Sequence, residues 1–146
     1  NIYISSKIDK FDFEANLIID RGEVYSPIIA LDTVFDFFKD EAKVFILTVD
    51  TPFVSIDTIE KLIQNSVNND ICVAKTERTH NLCGVFSINL KNHIKDMIDK
   101  DIHKVGYLLQ QNETKIIQFE EEDEFINLNH PSDYEKSLSI ISTINK

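Results

Sequence analysis

Ten consecutive residues, Val44-Phe45-Ile46-Leu47-Thr48-Val49-Asp50-Thr51-Pro52-Phe53, limit most strongly how this chain can fold. The first six are mostly β-branched or apolar, the composition of a strand buried on both faces. Thr51-Pro52 ends it, because proline brings no N–H to a ladder and restricts the residue before it. Such a run predicts a central strand of a sheet, with Leu47 in the core and a cost of about 2–5 kcal/mol for Leu47→Ala. Asp50 stands at the strand's exit. In open α/β sheets ligands gather outside the carboxyl ends of the strands, which makes Asp50 a candidate for handling a metal or a phosphate. Aspartate before Thr-Pro is equally a turn former, and spacing alone leaves the two readings level.

The rest of the chain repeats the theme. Residues 1–5 read as a short strand with the polar exit Ser5-Ser6-Lys7, where Lys7 could hold a phosphate or be a solvated surface lysine. Leu17-Ile18-Ile19-Asp20 is a second strand that again ends in a carboxylate. Pro27 opens a helix, and Ile28, Leu31, Val34, Phe35 and Phe38 recur at helical spacing as its core stripe. Ser55 caps another helix, with Ile56, Ile59, Leu62 and Ile63 inward. Residues 71–74 and 84–88 read as strands, with Gly84 marking a close backbone approach. Residues 75–81, which include His80, read as a charged loop. Asn92 is a candidate cap for a helix through Ile94, Met97 and Ile98. A short helix follows over 105–109 and a strand over 115–119. The acidic run 120–124 reads as a solvated loop, and 125–129 as a strand or bridge. His130-Pro131-Ser132-Asp133 starts a last helix carrying Tyr134, Leu138, Ile141 and Ile144. The alternation of strands and helices predicts one α/β domain, residues 1–146, with a mostly parallel sheet covered on both faces.

Charge and composition narrow the function. A formal net charge of −10 argues against a broad nucleic-acid surface, which would be basic, yet leaves room for a nucleotide, which needs only a local patch. No apolar run approaches the roughly 20 residues of a membrane span, and no secretory pattern opens the chain, so the expected location is cytoplasmic. Cys72 and Cys83 lack metal-site spacing and read as reduced thiols in or near the core. With three glycines in all, no Gly-rich phosphate loop is present.

The residues that together suggest chemistry are Asp20 and Asp50 at strand ends and the pair Asn127 and Asn129. Magnesium takes hard oxygen ligands, commonly one or two carboxylates plus substrate phosphates, and Asp50 suits it. Asp20 could accept from the N–H groups of a base or from a ribose hydroxyl. Asn-x-Asn puts both amides on one side of an extended chain, able to read a heterocycle or phosphate edge; a turn into the Pro131 helix explains them as well. His93 and His103 read as surface residues, whereas His80 and His130 lie within reach of a site. No strand–turn–helix serine elbow is present.

Leu47-Thr48-Val49-Asp50-Thr51-Pro52-Phe53, His80-Asn81-Leu82-Cys83-Gly84-Val85-Phe86 and the closing Asn127-Leu128-Asn129-His130-Pro131-Ser132-Asp133 occur in an order that resembles molybdenum cofactor guanylyltransferases over essentially the whole chain. That resemblance implies a three-layer α/β/α, Rossmann-like nucleotidyltransferase fold of the glycosyltransferase-A kind, with the first strand and helix missing. It implies that Asp50 binds Mg2+ and Asp20 the guanine nucleotide, with Asn127 and Asn129 on the molybdopterin side. The implied partners are GTP, molybdopterin or molybdenum cofactor, and cofactor-delivery proteins, and the implied reaction releases pyrophosphate. Three departures stand out, one being that the family's frequent Asn after the second strand is replaced around Ser6-Lys7, where guanine or ribose contacts are expected to differ. The family's Gly-rich first loop has no counterpart, so the chain is expected to be inactive without it. Its frequent Gly-Pro is Ser26-Pro27 here. A cytidylyltransferase of the same pathway, a non-enzymatic phosphoacceptor domain and a pterin-binding module without turnover are the alternative readings.

Overall fold

A computed structural model of the chain describes residues 1–144. Strand β1 (Ile4–Ser6) pairs in parallel with β2 (Leu17–Ile19). A second sheet has the order β3-β5-β4-β6, formed by β3 (Lys43–Ile46), β4 (Ile71–Lys75), β5 (Thr79–Ser87) and β6 (Thr114–Gln118). Five helices complete the fold: α1 (Pro27–Phe37), α2 (Ile56–Asn65), α3 (Lys91–Asp99), α4 (Val105–Gln110) and α5 (Pro131–Ile144).

The α/β class stands, and the sheet is mixed. β4 and β6 are parallel, whereas β5 runs antiparallel to both β3 and β4. The connection explains the direction. Only residues 76–78 separate β4 from β5, and the Thr76 N–H donates to the Arg78 carbonyl at 3.0 Å. So short a link can only turn the chain back, because a parallel crossover takes a dozen or more residues. The loop expected over 75–81 is therefore mostly hairpin strand, and His80 sits on it opposite Ala74.

The three layers follow from β4. Ile71 and Val73 face one core with Phe35 of α1, Ile94 and Met97 of α3, and Leu108 of α4. Cys72 and Ala74 face the other, with Leu62 of α2, Val85 and Phe125. A strand that is apolar on both faces carries helices on both. Gly84 lies where β5 presses on β4: a β-carbon there would sit 2.1 Å from the Cys72 carbonyl oxygen and 2.8 Å from Val73 Cα.

Several expectations move. β3 stops at Ile46 and is an end strand of its sheet, not a central one. Leu47 is 36% exposed, because the chain already turns, with Thr51 N–H and Oγ1 both donating to the Thr48 carbonyl at 3.2 and 2.9 Å. On α2 only Leu62 of the four expected core residues is fully buried, while Ile56 and Ile63 face outward; Thr58 is buried instead. Tyr134, Leu138 and Ile141 of α5 are exposed as well. Leu90, not Asn92, precedes α3, with no side-chain cap. Residues 125–129 form no strand; Phe125 closes a 3-10 turn. Glu124, in the supposedly solvated acidic run, accepts from the Ser55 N–H at 3.1 Å and the Thr58 hydroxyl at 2.7 Å. It thereby satisfies donors at the positive end of α2.

Gly84→Ala should lower stability by about 1–3 kcal/mol or more, because the added carbon meets backbone and not a movable side chain. Leu47→Ala should cost less than about 1.5 kcal/mol, since little of that side chain leaves water. Urea unfolding of both variants checks the ranking, which reverses the one the strand composition suggests.

Candidate functional site

Asp50 is placed by two tight local devices and one distant one. The Thr48–Thr51 turn lifts it off the end of β3, and Thr51, buried beneath, also hydrogen-bonds the Thr48 hydroxyl at 3.2 Å. From 77 residues away, Asn127 Nδ2 donates to Asp50 Oδ2 at 3.1 Å. The Leu128 N–H donates to the Asp50 carbonyl at 2.7 Å, so backbone and side chain are clasped together. Asp50 Oδ1 is buried and has no hydrogen-bond partner.

Among the described residues one other buried side-chain oxygen is left in this way, Asp32 Oδ1 on α1. Burial, and then the neighbouring Asp36, push the Asp32 carboxyl up. Asp36 itself is held down to about 2 by hydrogen bonds from Lys91 and then Arg21. That cluster braces α1 against the start of α3. Asp50 differs because it is a residue of a cleft wall.

The cleft has a volume of about 740 Å³. Its walls are the Thr48–Thr51 turn, the first half of β5, and the α3–α4 connection with the start of α4, and Pro27 at the head of α1 contributes to them. Arg78, Lys104, His80 and His103 line it, and Asp50 is its one carboxylate among the described residues. In a chain of net charge −10, two cations thus face one carboxylate in this cleft. Arg78 Nη2 donates to Asn127 Oδ1 at 3.4 Å, so Asn127 links the arginine to Asp50. An adjoining groove of about 610 Å³ shares Arg78, His80 and Asn127 with the cleft.

His80 forms the partition. Its ring stacks on Phe125 at 4.5 Å and 20°, and Nε2 lies 2.9 Å from Thr76 Oγ1. Burial, and then the charge of Arg78, lower its affinity for a proton, so it is a neutral hydrogen-bonding ring near pH 7.

The other sequence candidates lie elsewhere. Asp20 is deeply buried, with Lys7 at 2.9 Å from Oδ2. Its Oδ1 accepts from the Gly22 N–H at 3.2 Å and the Thr33 hydroxyl at 3.3 Å. Lys7 also donates to the carbonyls of Gly22 and Val24. Lys7 and Asp20 thus form a clamp on the loop leading to α1, and neither lines the cleft. Asn129 is exposed, its N–H donating to Asp133 at 3.1 Å beside that of His130. His93 and His103, expected at the surface, are half-buried: His93 Nδ1 contacts Asn112, and His103 joins the cleft wall. Arg78, His103 and Lys104 carry no sequence signal, since their significance lies in what the fold sets opposite them.

The fold is that of an α/β nucleotidyltransferase. Residues 1–115 match the MobA-like NTP transferase domain, and the chain belongs to that family. A protein of Campylobacter jejuni subsp. doylei named molybdenum cofactor guanylyltransferase is 41% identical over 143 residues, 95% of this chain and 74% of that one. A solved structure from Aquifex aeolicus superposes with a TM-score of 0.80 at 32% identity, over 88% of this chain and 70% of that one. One from Archaeoglobus fulgidus, titled molybdopterin-guanine dinucleotide biosynthesis protein A, has a TM-score of 0.76 at 19% identity, over 90% and 70%, and speaks to the fold alone. No helix among the described residues is long and apolar enough to cross a membrane.

The two thiols offer a check on the cleft's inner wall. Burial, and then Glu124, push the Cys83 thiol up to about 12, and burial also raises Cys72. Neither is paired. At pH 8 a disulfide reagent should therefore label the native protein slowly and take up two equivalents at once in urea, because the thiolate is the reacting form. The Cys83 proton is held more tightly folded than unfolded, so its contribution is intact below pH 9 and stability falls as pH rises from there toward about 12.

Proposed function

We propose that this nucleotidyltransferase moves GMP from GTP to the terminal phosphate of molybdopterin or molybdenum cofactor, with release of pyrophosphate, in the cytoplasm. The observation that carries the reading is Asp50, a residue of the cleft that Arg78 and Lys104 also line, with one carboxylate oxygen bound by Asn127 and the other buried and unpartnered.

The donor set fits Mg2+. An unpartnered carboxylate oxygen is a hard ligand, and among the described residues no group of three or more His, Cys, Asp or Glu could hold a metal unaided. One protein carboxylate, with phosphate oxygens and water, is the usual magnesium shell at a nucleotide. Bound there, the ion would offset charge on the phosphates.

The chain's own groups supply binding and orientation, which is most of what phosphoryl chemistry asks of a protein. Arg78 and Lys104 attract the phosphates. An oxygen of the acceptor phosphate attacks the α-phosphorus of GTP, and the bond to the pyrophosphate oxygen breaks as the new one forms. Asn127 holds the Asp50 carboxylate in one orientation throughout, and Asn129 lies on the pterin side. Asp20 for the guanine N–H edge and Lys7 for a phosphate are the outlying part of this reading, since both lie outside the cleft lining and are paired with each other.

The full-length protein, incubated with magnesium, molybdopterin and GTP labelled at the α-phosphate, should yield the labelled dinucleotide, and CTP should not replace GTP. Asp50→Asn should lower turnover roughly 100-fold or more, the scale of losing one preorganised charge contact, with an unchanged melting temperature. Full activity in that variant removes the metal assignment.

A further inference from the structure

His103 joins two cleft walls that are far apart in sequence. Its Nδ1 lies 2.8 Å from the hydroxyl of Ser26, 77 residues earlier, and its Nε2 lies 2.8 Å from Asp101 Oδ1. The Asp101 carboxylate only accepts, so its contact takes the Nε2 hydrogen; in the neutral ring Nδ1 is then the acceptor for the Ser26 O–H. Ser26 is not a free hydroxyl. It is buried and caps α1, accepting from the Ile29 N–H at 3.4 Å. Asp101 has a φ of 57°, a conformation uncommon outside glycine, and its N–H is tied back to the Ile98 carbonyl at 3.0 Å. With the Ile102 N–H bonded to the Met97 carbonyl at 2.8 Å, this is the left-handed stop that ends α3, and the exposed Asp101 carboxylate meets the ring from the solvent side.

We propose that His103 is a positioning residue for the transfer reaction, a brace between the head of α1 and the α3–α4 connection. On one side it fixes Ser26 and hence Pro27; on the other it fixes the segment bearing Lys104, and Pro27 and Lys104 both line the cleft. The brace sets the distance between those walls and so the fit of a phosphate-bearing ligand. It neither touches the reacting atoms nor moves a proton in the reaction. That it serves GMP transfer rests on the function proposed above; that it shapes an anion-binding cleft does not.

The two readings separate in one set of full-length variants. His103→Ala should raise KM for the phosphate-bearing acceptor about tenfold, with kcat and melting temperature close to those of the parent. Ser26→Ala should match it in KM, with a melting temperature lowered by the loss of the α1 cap, and the double variant should raise KM no further than either. His103→Asn keeps an acceptor where Nδ1 was and should restore most of the affinity; His103→Gln, which reaches toward Asp101, should not. Calorimetric titration with magnesium pyrophosphate should give the same ranking without any nucleotide. If that ranking holds while the parent transfers no GMP, the brace stands and the substrates are wrong. Parental KM and pyrophosphate affinity in His103→Ala would overturn the brace, as would a fall in kcat and melting temperature together with no rescue by asparagine.

Discussion

Where β5 passes over β4 at Gly84, the two backbones are so close that one extra carbon would overlap a carbonyl oxygen. That approach lets β5 pair on both sides, with β3 through Phe86, Val85 and Gly84 and with β4 through the same three residues. Cys72 and Ala74 then point to the α2 face while Ile71 and Val73 point to the α1, α3 and α4 face. Helices pack on both sides because the strand is apolar on both sides. The cleft follows as well, since its floor is the first half of β5 and its rim is the turn after β3.

The site is assembled on this frame by contacts between remote segments. Asn127 and the Leu128 N–H reach Asp50, Glu124 reaches the head of α2, and His103 reaches the head of α1. Each distant contact ends on a helix start or a turn, where backbone donors are unspent or the chain direction changes. Such points are stiff and well placed for holding charged groups.

The Lys7–Asp20 clamp shows how an apparent site residue is also a structural one. Both Asp20 oxygens are engaged, by Lys7 on one side and by Gly22 and Thr33 on the other. A buried carboxylate left without those partners would be costly, so its pairing is what the burial requires. A ligand that engaged Asp20 would have to supply donors of equal quality to replace the lysine.

Local chemistry was readable wherever a residue's role depends on its neighbours in the chain. Pro27 begins α1, Ser55 caps α2, Pro131 opens α5, and Gly84 marks the strand contact, each for reasons of backbone geometry. The motif order around Asp50, His80 and Asn127 indicated a resemblance to the nucleotidyltransferase family. Strand direction, the outward faces of Ile56 and Leu138, and the burial of Glu124 and His103 were not readable. They depend on what the fold sets beside them, and hydrophobic pattern is silent on partners 66 or 77 residues away. The sequence by itself determined most of the elements and the starts of α1, α2 and α5. Only the tertiary structure decided that Asp50 and Asn127 meet while Asp20 turns to Lys7, because which donor a buried carboxylate receives is settled by three-dimensional packing.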